Sequence, residues 1–402
     1  MLLKGKRVIL GITGSIAAYK SVFLVRELVK SGADVQVILT DAASDFVTPL
    51  TLATLSKRPV LSDMLKDPLA GVWNNHVDLA LWAEVMIIAP ASSNTMSKMV
   101  SGQSDNLLML TFMSAKCPVF FAPAMDLDMF QHQSNKENLQ KLQEFGHHLI
   151  PAEKGELASG LEGEGRMAEP EHILAQIETF FEERMPLRGK KVLVTAGPTY
   201  ELIDPVRFVG NFSSGKMGFA IAEAFADAGA EVHLVAGPTN LESDHKGIQR
   251  IDVVSAEEMF SACKKLHDQC DIVVMSAAVS DYRPAKRSDQ KIKKEADDEM
   301  NVRMVRNPDI LSWMGEHKPK DQILVGFALE TQNAEENARK KLASKNLNLI
   351  VLNTLEDEGA GFGHDTNKVT FVSRENKSRS FELKSKSEVA ADLVDHLTKL
   401  LV

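Results

Sequence analysis

A chain of 402 residues is too long for one typical core, so two or three domains are expected. Its 44% hydrophobic and 25% charged residues are ordinary for a globular protein, and a formal charge of -9 argues against a general nucleic-acid or anionic-membrane partner, since either favours a basic surface. No apolar run approaches a membrane span, MLLKGKRVIL runs into a strand pattern rather than a signal peptide, and Cys117, Cys263 and Cys270 lack metal-ligand spacing, so a cytoplasmic protein with reduced thiols is the expectation.

Residues 8–12 form an apolar run, followed by Thr13, Gly14 and Ser15 and by a helical stretch over 16–31. Gly32 and Ala33 close the helix, and 35–39 form the next strand. In a strand, tight loop, helix unit the loop meets a helix N-terminus, whose backbone N–H groups can hold a phosphate. The dinucleotide pattern G-x-G-x-x-G fails, because Gly11 and Gly14 are three apart and Ala17 stands where the third glycine would follow. Flavin mononucleotide or another monophosphate therefore suits the loop better than NAD, and a turn without ligand is the competing reading.

Asn75 is placed to cap a helix containing Leu79, Ala80 and Ala83, with Asp78 at its third position. His76 then falls in the first turn, where the helix dipole favours a neutral ring, as a base requires; a structural histidine is the alternative. Two near-continuous apolar runs, 85–90 and 119–123, end in proline and are followed by Ser92, Ser93, Asn94 and Thr95 and by Ala124, Met125 and Asp126. Such runs suit a parallel sheet covered on both faces, with the polar residues gathered along one edge. The stretch 155–170, GELASGLEGEGRMAEP, is too rich in glycine and charge for a core strand and reads as a mobile flap or a solvated loop.

In this order GITGSIAAYK, NNH, PASSNT, PAMDLDMF and ELASGLEGEGRMAEP resemble the flavin-dependent cysteine decarboxylases of coenzyme A biosynthesis, which implies a flavodoxin-like fold. The resemblance implies FMN bound by Gly14, Ser15, Ile16, Thr40, Ser92, Ser93, Asn94 and Thr95, and His76 as the essential histidine. It also implies 4'-phosphopantothenoylcysteine as substrate: the cysteine side is oxidised to a thioaldehyde, CO2 leaves, and the electrons return to the enethiolate. Two positions depart from the family. Asp126 replaces the asparagine of P-x-M-N, which helps hold the substrate carboxylate, and Ser159 replaces the flap cysteine, which supplies a proton. An ionised Asp126 would repel that carboxylate, and a hydroxyl is a much weaker acid than a thiol. The expectation is a buried, protonated Asp126 that has taken over proton donation, with Ser159 positioning. The alternative is a flavin domain that acts on another thiol substrate or is a non-catalytic scaffold.

The charged segment 182–190, with Pro186 and Gly189, reads as a boundary between domains at 1–185 and 190–402. Residues 31–40 and 228–237 share a helix end, a Gly-Ala turn and a strand, so both halves read as Rossmann-like α/β units with parallel or mostly parallel sheets. The apolar run 192–196 leads through an irregular stretch to Ser213, Ser214, Gly215 and Lys216 at a predicted helix start, a seat for phosphate or carboxylate. Residues 210–217 nearly satisfy the Walker loop. Met217, however, replaces the hydroxyl that would coordinate magnesium, and the segment lies well beyond its strand, which argues against a P-loop. Strands are expected at 272–275, 323–327 and 349–352. Asp281, after the small Ala277 and Ala278, offers a carboxylate for a metal, the KIKK run 291–294 can close over phosphates, and Lys341 and Lys345 share a helix face from which both reach one anion. Each also reads blandly, as a turn, a solvated charge run or an amphipathic helix.

TAGPTYELIDPVRFVGNFSSGKMG, AAVSDYR, KIKK, RNPDI and GFALET, again in order, resemble phosphopantothenate-cysteine ligase, a nucleotide-binding fold that bacteria fuse behind the decarboxylase; no matched position departs. The resemblance implies that 4'-phosphopantothenate is activated by CTP as an acyl-cytidylate, with loss of pyrophosphate, and that the amine of L-cysteine then attacks it. Asn211 is implied to steady the acyl-cytidylate and Lys291 to act through charge. Ala277, Ala278, Asp281, Pro308, Asp309, Ile310, Leu311, Phe327, Lys341 and Lys345 are implied to form the CTP site, with Asp281 as the Mg2+ ligand. The chain is thus identified as a bifunctional enzyme with small-molecule partners, whose product is 4'-phosphopantetheine. Homo-oligomers are implied, trimers through the decarboxylase and dimers through the ligase. A two-Rossmann NAD(P) oxidoreductase, the competitor at the level of fold, lacks its glycine fingerprint.

Overall fold

The computed structural model describes residues 2–67, 72–293, 300–330, 333–354, 364–374 and 377–401. Two compact units divide the chain, Met1–Glu183 and Arg184–Val402.

The first unit contains β1 (Arg7–Ile12), α1 (Ala18–Lys30), β2 (Asp34–Leu39), α2 (Pro49–Ser56), β3 (Leu65–Asp67), β4 (Val72–Trp73), α3 (His76–Trp82) and β5 (Val85–Ala91). It continues with α4 (Ser93–Ser101), α5 (Leu107–Ser114), β6 (Val119–Pro123), α6 (Leu127–Gln131), α7 (Gln133–Glu144), β7 (His148–Leu149), β8 (Glu153–Glu156), β9 (Glu162–Arg166) and α8 (Pro170–Glu183). Five strands form a parallel sheet in the order β2-β1-β5-β6-β7. All of β5 and β6 is buried, because apolar clusters cover both faces: Leu10, Val37 and Ile87 pack into one, Ile9, Ile38 and Met86 into the other. That double cover is why these strands read as unbroken apolar runs. β2 and β5 flank β1 on opposite sides, so the loops after β1 and β5 diverge and open a crevice at the sheet's C-terminal edge.

The glycine-rich stretch 155–170, which adds no strand to the main sheet, is built around a hairpin. β8 and β9 pair antiparallel into a hairpin separate from the main sheet, and the Met125 N–H donates to the Gly165 carbonyl at 3.0 Å. Gly165 has φ +141°, and a Cβ there would collide with the Met125 carbonyl. Only glycine lets the hairpin lie this close to the segment before α6.

The second unit contains β10 (Lys191–Ala196), β11 (Tyr200–Leu202), β12 (Phe208–Gly210), α9 (Lys216–Asp227), β13 (Glu231–Ala236), β14 (Ile248–Asp252), α10 (Ala256–Leu266), β15 (Ile272–Met275), β16 (Tyr282–Pro284) and β17 (Met304–Arg306). After these come α11 (Ile310–Glu316), β18 (Ile323–Glu330), α12 (Ala334–Ser344), β19 (Leu349–Thr354), β20 (Thr366–Asn367), β21 (Val369–Ser373), β22 (Ser378–Ser380), β23 (Lys384–Ser385) and α13 (Lys386–Thr398). Its sheet runs β14-β13-β10-β15-β18-β19-β21-β22. The first six strands are parallel, and β21 and β22 add antiparallel to the edge.

Between β10 and α9 the chain makes an excursion that holds the β11–β12 hairpin. It returns to its starting point: a Cβ on Gly215 would lie 3.4 Å from Gly197. The start of α9 is therefore remote from β10 in sequence but close to its end in space, while the intervening hairpin and the missing hydroxyl at Met217 both still separate the Gly210–Met217 segment from a Walker loop. No helix among the described residues is long and apolar enough to cross a membrane.

Candidate active sites

In the first unit the loops after β1, β2 and β5 line a cavity of about 610 Å³. Gly14, Ser15, Thr40, Ser92, Ser93, Asn94 and Thr95 all stand in its wall. Ile16 does not; it lines the adjoining cavity, because residues 15–17 form a turn and α1 starts only at Ala18. The strand ends are tied together by Thr13, whose Oγ1 donates to the Pro90 carbonyl at 2.8 Å and accepts from the Ser92 N–H at 3.0 Å. Ser92 caps α4, accepting from the Thr95 N–H at 3.4 Å. A Cβ on Gly14 would lie 2.7 Å from Ala42 Cβ, so a bare backbone is needed where these loops meet. Lys98 is neutralised by Asp105 at 2.5 Å. Hydroxyls, an amide and a helix N-terminus in one wall match the donor set that a flavin phosphate and the polar edge of its ring require, so the residues present fit FMN.

The adjoining cavity, about 560 Å³, lies between the start of α1, the segment 124–126 and the hairpin. Here the two residues that depart from the family meet: the Ser159 hydroxyl donates to Asp126 Oδ1 at 2.8 Å. The same oxygen accepts from the Leu127 N–H at 2.8 Å, because Asp126 is the N-cap of α6. The expected buried carboxyl is therefore corrected to a half-buried one, since a capping side chain must sit at the helix mouth. Two groups that the sequence reading overlooked share this wall. Lys20 is buried and donates to the Met167 carbonyl at 2.7 Å and to Glu169 at 3.0 Å, and Arg166 reaches Glu169 at 2.5 Å. Their signal was a lysine on the inward face of α1 and an arginine among glycines.

Asn75 caps α3 as its spacing predicts, accepting from the Val77 and Asp78 N–H groups. His76 is the first residue of that helix, half-buried, with its ring 5.7 Å from that of Trp73. It lines neither cavity, so this chain does not bring His76 to Asp126 and Ser159.

In the second unit a cavity of about 250 Å³ opens at the C-terminal edge of β10, β15 and β18. Residues 213–218, Ala277, Ala278 and Phe327 form much of its wall, together with Asn353, Asn367 and Lys386. Asn211 lies beside it, its amide donating to the Ala278 and Val279 carbonyls at 3.1 and 3.2 Å. Gly218 is required where α9 presses on β10, since a Cβ would lie 2.5 Å from that of Ala196.

Lys341 and Lys345 do not converge on one open anion seat. Lys345 is engaged by both oxygens of Asp309, at 3.0 and 2.8 Å, and Asp309 also caps α11, accepting from the Ser312 N–H at 3.0 Å. Partial burial pushes the Asp309 carboxyl up, but Lys345 and that N–H outweigh it and hold the group below its ordinary value. Lys341 donates to the Phe327 carbonyl at 3.1 Å. Burial, and next Lys345, push its ammonium below the usual lysine range, against the pull of Glu330, Asp309 and Asp281.

Ile310 is buried at the start of α11, and Pro308 and Leu311 are half-buried around it. Lys291 is exposed and absent from the cavity wall. Its segment is pinned elsewhere, because Asp204, buried and ion-paired with Arg207 at 2.5 Å, accepts from the Ile292 N–H. The Arg207 hydrogen bond holds the Asp204 carboxyl far below its usual range. Lys294 of the KIKK run and Thr331 of GFALET lie outside the described residues.

Asp281 is exposed, and among the described residues no cluster of three or more His, Cys, Asp or Glu could hold a metal ion. A single carboxylate fits Mg2+ that arrives on nucleotide phosphates, not a protein cage.

The family model of the flavoproteins matches residues 2–182, and that of the DNA/pantothenate metabolism flavoprotein C-terminal domain matches residues 187–401. A cysteine/cysteine sulfinic acid decarboxylase from an unknown prokaryotic organism is 50% identical over 359 residues, 88% of this chain and 99% of that protein. The coenzyme A biosynthesis bifunctional protein CoaBC of Haemophilus influenzae is 45% identical over 397 residues, 99% of this chain and 98% of that one. Its counterpart in Bacillus subtilis is 43% identical over 401 residues, again 99% and 98%.

Proposed function

The chain belongs to the DNA/pantothenate metabolism flavoprotein family, and from that membership we propose that it carries out two consecutive steps of coenzyme A biosynthesis. The second half ligates L-cysteine to 4'-phosphopantothenate at the expense of CTP. The first half decarboxylates the resulting 4'-phosphopantothenoylcysteine to 4'-phosphopantetheine, with FMN as cofactor. The observation that carries this reading is the gathering of motif residues at the C-terminal edge of each sheet, where open α/β sheets bind ligands.

In the first half Gly14, Ser15, Thr40 and Ser92 to Thr95 hold FMN, which supplies a reversible two-electron acceptor. Asp126 acts as the proton donor and Ser159 fixes it. Oδ1 is occupied by the Leu127 N–H and the Ser159 O–H, which leaves Oδ2 to carry the proton to the enethiolate. Arg166 and Lys20 lend the cavity the positive charge that receives the substrate carboxylate. His76 serves as base only in an assembly that brings it to this cavity.

In the second half Asn211 holds the acyl-cytidylate against the strand end, and Lys341, with Lys291 after closure, offsets the charge that builds up as the carboxylate is activated. Mg2+ travels with CTP and meets Asp281.

A second reading has specific support: the 50% identical relative is named a cysteine/cysteine sulfinic acid decarboxylase, and Asp126 and Ser159 alter the cavity in question. In that reading the first half acts on the free amino acid. Supplying 4'-phosphopantothenate, cysteine, Mg2+ and CTP and following CMP, pyrophosphate, CO2 and 4'-phosphopantetheine tests the main proposal. All four products are expected. Amide without CO2 would leave only the ligase half standing.

A further inference from the structure

We infer that the cavity of the second unit has a phosphate-binding wall built by Lys386, Lys216 and Asn353, on the side contributed by the C-terminal helix. The inference rests on the ligase reading of that half, and it deepens it by joining to Lys216 two residues that no motif points to, Lys386 and Asn353.

Lys386 is only 8% exposed and lines the cavity. Its ammonium donates to the His364 carbonyl, a neutral acceptor, and no ion pair joins it to a carboxylate among the described residues. A buried ammonium without its own anion is costly to maintain, and a bound anion removes that cost. Its neighbour Lys216 also lines the cavity and is paired with Asp365 at 2.6 Å. The Lys386 N–H donates to the Asp365 carbonyl at 2.9 Å, so one short segment carries both lysines toward the same space.

Both lysines are the first residues of their helices, α9 and α13. A cation there opposes the helix dipole, whereas an anion is favoured. Two helix starts with lysine at this position, lining one cavity, make sense once a polyanion lies between them. A third group points the same way: Asn353 lines the cavity too, and its buried Oδ1 has no hydrogen-bond partner among the described residues. An amide can turn either its oxygen or its NH2 to a ligand. Burial, with Lys216 adding to it, pushes the Lys386 ammonium below the usual lysine range, and Asp365 only partly opposes this.

The opposite wall is the Phe327–Leu329 stretch, whose first carbonyl Lys341 already holds. The cations in the wall of this space of about 250 Å³ are therefore Lys216 and Lys386, both on the side of the helix starts. The ligand chemistry is a phosphate. In the ligase reaction it has two sources, the triphosphate of CTP and the phosphate monoester of 4'-phosphopantothenate.

The test uses the full-length protein as Lys386→Met, Lys386→Arg and Lys216→Gln variants. Amide formation is measured against each substrate in turn, and CTP binding is measured by calorimetry without the second substrate. Lys386→Met is expected to raise KM for one phosphate-bearing substrate about tenfold or more, the scale of a lost charged hydrogen bond, with kcat changed less. Lys386→Arg is expected to recover part of the loss, and Lys216→Gln to raise the same KM. A weakened CTP isotherm assigns the wall to the triphosphate. An unchanged isotherm with a raised KM for 4'-phosphopantothenate assigns it to the monoester.

Should Lys386→Met fail to fold, Lys216→Gln decides alone, since its side chain is partly exposed. Both KM values within twofold of the parent in a folded variant would overturn the inference. Absence of amide from the parent protein would instead overturn the ligase reading beneath it.

Discussion

The two cavities differ in how fully their cations are answered by carboxylates. In the first unit Lys98 is answered by Asp105, Lys20 and Arg166 by Glu169, and Asp126 by a backbone N–H and a serine. In the second, Lys216 is answered by Asp365, but Lys386 in the wall and Lys341 behind the Phe327 strand rest on neutral carbonyls and are held below their ordinary basicity by burial. The contrast follows the chemistry. Decarboxylation needs one proton delivered in a shielded space, whereas carboxylate activation by CTP must neutralise a polyanion that is absent until substrate arrives.

The contrast would break most visibly at Lys291. It stands outside the cavity of the second unit, so replacing it by Gln is expected to leave thermal unfolding unchanged yet lower amide formation by about 100-fold or more, the scale of losing one electrostatic stabiliser. Normal ligation by that variant would mean that the lysines already in the wall suffice.

In the first unit Asp126→Asn is expected to lower CO2 release by about 100-fold, as loss of a general acid does, and Ser159→Ala by roughly tenfold. Because the two side chains touch at 2.8 Å, their effects should not add. Asp126→Asn combined with Ser159→Cys, which restores the family pair, should recover turnover. Full activity of Asp126→Asn alone would remove the acid assignment.

The smallest effect sharpens the comparison through pH. Lys341 is depressed before CTP binds, and a bound phosphate must raise it. CTP binding should therefore take up protons below the ordinary lysine range and weaken as pH rises through the depressed value. Calorimetry in buffers of different ionisation enthalpy reads this directly. Zero uptake there would show that the depressed ammonium is not part of the site.

Much of this was legible in the sequence. Apolar runs marked the buried strands, the Asn75 and Asp78 spacing marked the start of α3, and the polar residues after each strand gathered at one edge because parallel strands all end there. What stayed hidden depends on contacts distant in sequence. Nothing near Asp126 or Ser159 shows that a glycine-rich stretch folds back as a hairpin and joins them. The i, i+4 spacing of Lys341 and Lys345 shows a shared face, but not that Asp309 occupies one of them. Lys386 had one local sign. The capping box of Ser385 and Glu388 fixes it as the first helical residue, where a lysine is electrostatically misplaced.

The measurement that tests the account most directly follows carboxyl-labelled cysteine given to the purified, FMN-loaded protein. Label should appear first in 4'-phosphopantothenoylcysteine and then in CO2, and only when CTP and 4'-phosphopantothenate are both present. Labelled CO2 from cysteine alone would contradict it.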